Sequence, residues 1–83
     1  MVTTGQLTLN TTPQLVHTAQ GRTRLCVRSN NVMNVGDSTV TTSTGYIGGG
    51  PAGDVITVDM SDGDEIWAVL PSGTTTMWFI AMN

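Results

Sequence analysis

Apolar and polar residues alternate with a period of two along most of this chain. Residues 23–28 alternate strictly, and residues 54–60 place Ile56, Val58 and Met60 on one face. Successive side chains of a β-strand point to opposite faces, so this period predicts half-buried strands. Residues 65–70 and 74–81 are apolar on both faces, which is typical of central strands or of strands covered by a partner.

Turn-forming residues separate these runs at intervals of about ten residues. Fifteen threonines and nine valines favour strands, because β-branched side chains fit a pleated surface. No stretch free of Gly, Pro and Thr has helical spacing. We therefore expect an all-β fold, a single small antiparallel β-sandwich or barrel of about seven or eight short strands. The turn signals are Gln20-Gly21, Ser29-Asn30-Asn31, Gly36-Asp37, Gly48-Gly49-Gly50-Pro51, Asp62-Gly63-Asp64 and Pro71-Ser72-Gly73.

The two ends of this pattern are less regular. Residues 13–83 are expected to form one β domain, while residues 1–12 are either an extended arm reaching onto a neighbour or an edge strand. In the middle, residues 32–35 and 38–44 alternate, and Gly36-Asp37 between them predicts a tight edge hairpin. Residues 48–53 are expected to be an exposed, mobile loop.

The 83 residues leave little core, since a chain of this size buries only about 60% of its unfolded surface. Cys26 is the single cysteine, so no intramolecular disulfide is available. Association with other subunits is the remaining way to stabilise such a small domain, and we expect a homo-oligomer.

Charge is sparse and negative overall, at −3. Nucleic acid and anionic membranes attract concentrated positive charge, so neither is expected as a partner. No apolar run reaches the roughly 18 residues of a membrane span, and the first residues lack the pattern of a signal peptide. Three arginines, Arg22, Arg24 and Arg28, fall close together, whereas the acidic residues begin at Asp37.

Residues able to support catalysis are few. His17 and Cys26 could form a nucleophilic dyad only if the fold brought them together; otherwise His17 is an ordinary strand residue and Cys26 a small apolar one. The glycines of residues 45–50 suggest a phosphate loop, but that chemistry needs a following helix and commonly a lysine. The chain contains no lysine. We expect no enzymatic activity and no cofactor.

The acidic cluster is the best candidate for a metal site. Asp59, Asp62, Asp64 and Glu65 could offer carboxylate oxygens to Ca²⁺, as in a calcium-stabilised accessory domain. The alternative is an ordinary tight turn at Asp62-Gly63-Asp64, because one turn supplies fewer than the usual 6–8 ligands.

The aromatic residues also allow two interpretations. Trp67, Trp78, Phe79 and Tyr46 could form a platform that stacks on a sugar or a base. Trp67 and Trp78 lie in strongly apolar runs, however, where an aromatic residue is more often in a core or a subunit interface.

Five short segments follow one another between residues 35 and 68: Val35-Gly36, Val40-Thr41, Gly45-Tyr46, Val55-x-Thr57-Val58-Asp59-Met60 and Gly63-Asp64-x-Ile66-Trp67-Ala68. Their order resembles a pattern of small virion proteins of tailed bacteriophages, which are compact β modules. The turn after Gly45-Tyr46 departs from that pattern, because it is longer and richer in glycine.

This resemblance implies a capsid decoration (cement) protein, a homotrimer that binds the major capsid protein on the outer surface of the phage head. Assembly would take place in the host cytoplasm. The alternative is a receptor- or carbohydrate-binding β module of a tail fibre or spike. Apolar anchors supply affinity and charges set register in such contacts. The expected interface residues are Arg22, Arg24, Arg28, Trp78 and Met82.

Overall fold

The computed structural model describes residues 1–49 and 55–83, and all the regular secondary structure in them is β-strand. The predicted all-β class is therefore confirmed. The eight strands are β1 (Val2–Leu9), β2 (Gln14–Thr18), β3 (Thr23–Ser29), β4 (Val32–Gly36), β5 (Tyr46–Gly49), β6 (Ile56–Met60), β7 (Glu65–Val69) and β8 (Thr75–Met82).

The strands form two four-stranded antiparallel sheets that pack face to face as a small β-sandwich. Sheet A has the order β1-β8-β3-β6, and sheet B has the order β2-β7-β4-β5. The two strands with apolar residues on both faces, β7 and β8, each lie inside a sheet rather than at its edge. The expectation of central strands from two-sided apolar runs is confirmed for both.

The strands pair in a nested order along the chain, so that each outer pair encloses the next. The innermost pair is β4 with β5, followed outward by β3 with β6, β2 with β7, and β1 with β8. The additional pairs β3 with β8 and β4 with β7 then join these hairpins into the two sheets. This is the arrangement of an eight-stranded jelly roll.

The core lies between the inner faces of the two sheets. Leu25 and Val27 of β3 are buried on the sheet A side, and Met33 and Val35 of β4 are buried on the sheet B side. Each such side chain stabilises the fold by about 1.5–3 kcal/mol when fully buried. The buried Thr23 at the start of β3 also has a partner, since its hydroxyl donates to the Gly21 carbonyl at 3.1 Å.

Turns at one end of the sandwich tie its sheets together. The β2–β3 and β6–β7 connections meet there, where Ala19 N donates to Asp64 O at 2.8 Å and Gly63 N donates to Ala19 O at 2.9 Å. Gly21 N donates to the Asp62 carboxylate at 2.7 Å. The Asp62-Gly63-Asp64 turn therefore holds two sheet-crossing connections in place.

The predicted hairpin with a tight turn at Gly36-Asp37 is wrong. Residues 37–45 form a loop of consecutive turns, and the returning strand is β5, where Tyr46 pairs with Val35. Val40, expected in a strand, is instead buried within this loop at 3% exposure. Of the expected mobile loop of residues 48–53, Gly48 and Gly49 belong to β5. Residues 50–53 lie outside the described residues.

The N-terminal residues are part of sheet A. β1 pairs with β8 in a continuous register from Val2 opposite Met82 to Leu9 opposite Thr75. Of the two sequence alternatives for this segment, an arm or an edge strand, the structure has the edge strand.

Candidate docking surface

The outer face of sheet A carries most of the expected interface residues. Paired residues on neighbouring strands share a face, so the register places side chains in rows across β8 and β3. Arg28 lies opposite Trp78, and Arg24 lies opposite Met82. Four of the five expected interface residues therefore form two cross-strand pairs on one surface, with the Cys26–Ile80 pair between them.

The fifth residue, Arg22, lies in the turn before β3 and borders the same surface. With Arg24, Asp59 and Met82 it lines a shallow cavity of about 730 Å³. Arg22 is exposed, as are Arg24 and Arg28. The face thus has a positively charged corner at this end of the sandwich.

An apolar stripe runs along the middle of this face on β8. It consists of Trp78, Ile80 and Met82, with Val2 of β1 beside Met82. Trp78 is 40% exposed and Val2 is 62% exposed, while Ile80 and Met82 are partly exposed. Ile80 and Val2 were not among the expected contacts, although Ile80 lies two residues from both Trp78 and Met82 and so shares their face.

The charges of this face are arranged on β3 and β6. Arg24 Nε donates to Asp59 Oδ1 at 3.0 Å, and this bond raises the pKa of the Arg24 guanidinium, with the carboxylate charge as the second cause. Both side chains are largely exposed, so the pair contributes little stability. Arg24, Asp59 and Arg28 together carry a formal charge of +1, whereas the whole chain carries −3.

The outer face of sheet B differs, because the 37–45 loop lies against it. Asn34 Nδ2 donates to Thr44 O at 3.1 Å, and Val40 occupies the space that β-carbons at positions 36 and 45 would need. Val69, opposite Asn34 in the register, is only 1% exposed. The chain's own loop covers part of this face, while Leu15, Val32 and Ile47 remain exposed on the rest of it.

The structure separates the two residues of the candidate nucleophilic dyad. Cys26 lies on the outer face of sheet A, with its Sγ 3.6 Å from the Thr57 hydroxyl. His17 points into the sandwich, where its ring packs against Phe79 with centroids 5.8 Å apart. Sheet A lies between them, so they do not have the geometry of a dyad.

Each of the four carboxylates of the candidate calcium site has its own hydrogen-bond partner. Asp59 pairs with Arg24 and Asp62 accepts from Gly21 N, as described above. Asp64 Oδ2 accepts from Ser61 N at 2.8 Å, and Glu65 Oε1 accepts from Trp67 Nε1 at 3.2 Å. Within the described part of the chain, no three His, Cys, Asp or Glu residues are grouped as a metal site. The backbone of this segment is that of the tight turn at Asp62-Gly63-Asp64.

The aromatic residues do not form one stacking platform. Trp78 lies on the outer face of sheet A, and Phe79 points into the core. Trp67 lies on the outer face of sheet B opposite Gly36, whereas Tyr46 lies on its inner face opposite Val35 at the exposed edge. The candidate phosphate loop is likewise absent from residues 45–49, which enter and form β5.

Comparison with known proteins gave no match to any protein-family model, curated protein or solved structure. Across residues 1–49 and 55–83, no helix has the length and hydropathy needed to cross a membrane. Inferences about function therefore depend on the surfaces described above and on the sequence resemblance.

Proposed function

We propose that this chain is a non-enzymatic virion structural protein that decorates the outer surface of a phage head and stabilises the shell. The single observation that carries the proposal is that the outer face of sheet A combines an exposed apolar stripe with the three arginines of the chain. The outer face of sheet B also exposes Leu15, Val32 and Ile47, but the 37–45 loop covers part of it and it carries no arginine. We infer that the outer face of sheet A docks onto the major capsid protein.

The chemistry of this face defines what it binds. Trp78, Ile80 and Met82 would supply affinity, because buried aromatic and aliphatic anchors dominate interface energies. Arg28 and Arg22 would set the register against carboxylates of the partner. A protein surface with acidic groups around an apolar centre fits this arrangement.

The fold and the charge are compatible with this role. Jelly rolls are used by viral capsid proteins and by lectins, so the fold alone does not distinguish decoration from carbohydrate binding. A net charge of −3 favours the outside of the shell, since a surface facing packaged DNA is expected to be positively charged.

The proposal predicts that substitutions on the outer face of sheet A weaken binding to capsids. Trp78→Ala should cost about 2 kcal/mol or more, a loss of about thirty-fold in affinity, because it removes a central aromatic anchor. Arg28→Glu should also weaken binding, with a stronger effect at low salt. Binding is measured by co-sedimentation with expanded heads assembled without the chain.

Tyr46→Ala is the matched control, because it removes an exposed aromatic residue from the other sheet. It should leave capsid binding unchanged. Failure of the wild-type chain to bind such heads would contradict the proposal. So would loss of binding in Tyr46→Ala with full binding in Trp78→Ala, and glycan binding that depends on Tyr46 would favour the tail-fibre alternative.

A further inference from the structure

The edges of the two sheets differ in how well they are protected against pairing. Among the eight described strands, β1 and β6 are the edges of sheet A, while β2 and β5 are the edges of sheet B. An edge strand presents unpaired N–H and C=O groups to any other extended chain. Proteins limit such pairing with short strands, charged residues, proline or β-bulges.

Three of these edges carry such features. β2 is interrupted by a register shift between Leu15 and His17. β5 has four residues, two of which are glycine, so it offers a short and weak pairing edge. β6 has five residues and includes the charged Asp59.

β1 is the least protected of the four edges, although it contains one glycine, Gly5. It is eight residues long, with the sequence VTTGQLTL, and contains neither a charged residue nor a proline. Its register with β8 runs from Val2 to Leu9 without a shift. Most of its residues are exposed, including Thr4 and Gln6 on the outer face. β1 therefore combines the length, regularity and neutrality of a pairing strand.

We propose that β1 is a self-association site that pairs, antiparallel, with β1 of a second copy of this chain. Self-pairing brings no like charges together, because β1 is uncharged. The protected edges β2, β5 and β6 are poorer partners, which leaves β1 as the best match for itself. The small core of an 83-residue chain gives such pairing a stabilising role.

Symmetry restricts how the two strands can meet. A two-fold axis perpendicular to the sheet pairs each inner-face residue of one β1 with an inner-face residue of the other. Because side chains alternate between faces, two paired residues must have the same number or numbers that differ by an even amount. The registers with the longest overlap place Gly5 opposite Gly5 or Gln6 opposite Gln6. Either one joins two copies of sheet A into a continuous eight-stranded sheet.

This pairing concerns the isolated protein and does not depend on capsid binding. It gives a dimer rather than the trimer that the sequence resemblance implies. The two outer faces would become continuous across the new strand pair, which would double the candidate docking surface without covering Arg28 or Trp78.

The test is the mass of the purified chain in solution, measured by sedimentation equilibrium over a range of concentrations. We expect a reversible dimer of twice the 8.7 kDa chain mass. Thr4→Lys/Gln6→Lys should weaken dimerisation at least about ten-fold, because like charges then face each other across the axis. Val55→Lys/Thr57→Lys adds the same charge near the opposite edge of sheet A and should leave the dimer intact.

A second measurement uses the wild-type chain and needs no variant to fold. Backbone amides of β1 that face the open edge should exchange hydrogen rapidly in dilute solution and slowly at concentrations where the dimer forms. A monomer at all concentrations, a trimer, or a dimer equally stable in both lysine variants would overturn the proposal. Equal exchange of the β1 amides in dilute and concentrated protein would do the same.

Discussion

At the scale of single residues, Gly5 is required by the ring of Phe79. A β-carbon at position 5 would lie 2.7 Å from both Cε1 and Cζ of that ring, which packs in turn against His17. Gly5→Ala should therefore destabilise the fold by about 1–3 kcal/mol through overpacking. Urea denaturation measures this change in the free energy of unfolding.

Thr4→Ala is the control, because Thr4 is next to Gly5 in the chain but its side chain is exposed on the outer face of sheet A. Phe79→Leu removes the atoms that clash, so Gly5→Ala/Phe79→Leu should cost less than the sum of the two single variants. Additive effects in this double-mutant cycle would show that the Phe79 ring does not limit position 5.

At the scale of elements, the 37–45 loop shows where the sequence pattern fails. Residues 38–44 alternate like a strand, but Ser, Thr and Asp side chains also bond to nearby backbone groups and favour turns. Asp37 Oδ1 accepts from Thr39 N at 2.9 Å, and Thr44 Oγ1 accepts from Thr41 N at 3.0 Å. These local bonds replace a ladder, and Val40 is buried in the resulting loop.

The hydrogen bonds of this loop predict a measurable pKa change. The Thr39 hydroxyl, and after it the Thr39 backbone N–H, lowers the pKa of Asp37 below its ordinary value. Thr39→Val removes the hydroxyl and keeps the backbone bond, so the pKa of Asp37 should rise without fully returning to about 3.9. An NMR titration of the Asp37 carboxyl group measures the change.

The sign of the effect on stability follows from the lowered pKa. Ionised Asp37 stabilises the loop above the ordinary pKa, and this contribution is lost as the pH falls through the lower pKa of the folded state. Thr42→Val, in the same loop, should leave the Asp37 titration unchanged. An unaltered Asp37 pKa in Thr39→Val would contradict the assigned bond.

Most of the other strands could be predicted because they combine alternation with clear turn residues. The predicted segments 23–28 and 65–70 differ from β3 and β7 by one residue at one end. β5 could not be predicted, since its short Tyr46–Gly49 sequence contains two glycines and offers no period of two. Its place in sheet B follows from pairing with β4, which is a tertiary contact.

At the scale of the whole molecule, long-range register assembles the candidate docking surface. Alternation in the sequence places Arg24 and Arg28 on one face of a strand, and Trp78 and Met82 on one face of another. The pairing of β3 with β8 brings Arg28 beside Trp78, although these two residues are about fifty residues apart in the chain. Likewise, Cys26 and His17 lie on different sheets, which the sequence alone could not show.

The most direct test of the docking surface uses the chain's own cysteine. Cys26 lies on the outer face of sheet A, on β3 opposite Ile80 and two strands away from β1, so a docked capsid should cover it but β1 pairing should not. The measurement is the rate of maleimide labelling of Cys26, free and bound to capsids. As a control, Cys26→Ser/Thr42→Cys places the thiol on the loop over sheet B.

We predict that Cys26 is labelled at least about ten-fold more slowly on the capsid than in the free protein, and that the control thiol reacts at the same rate in both. Equal labelling of Cys26 in the free and bound protein would contradict docking through this face.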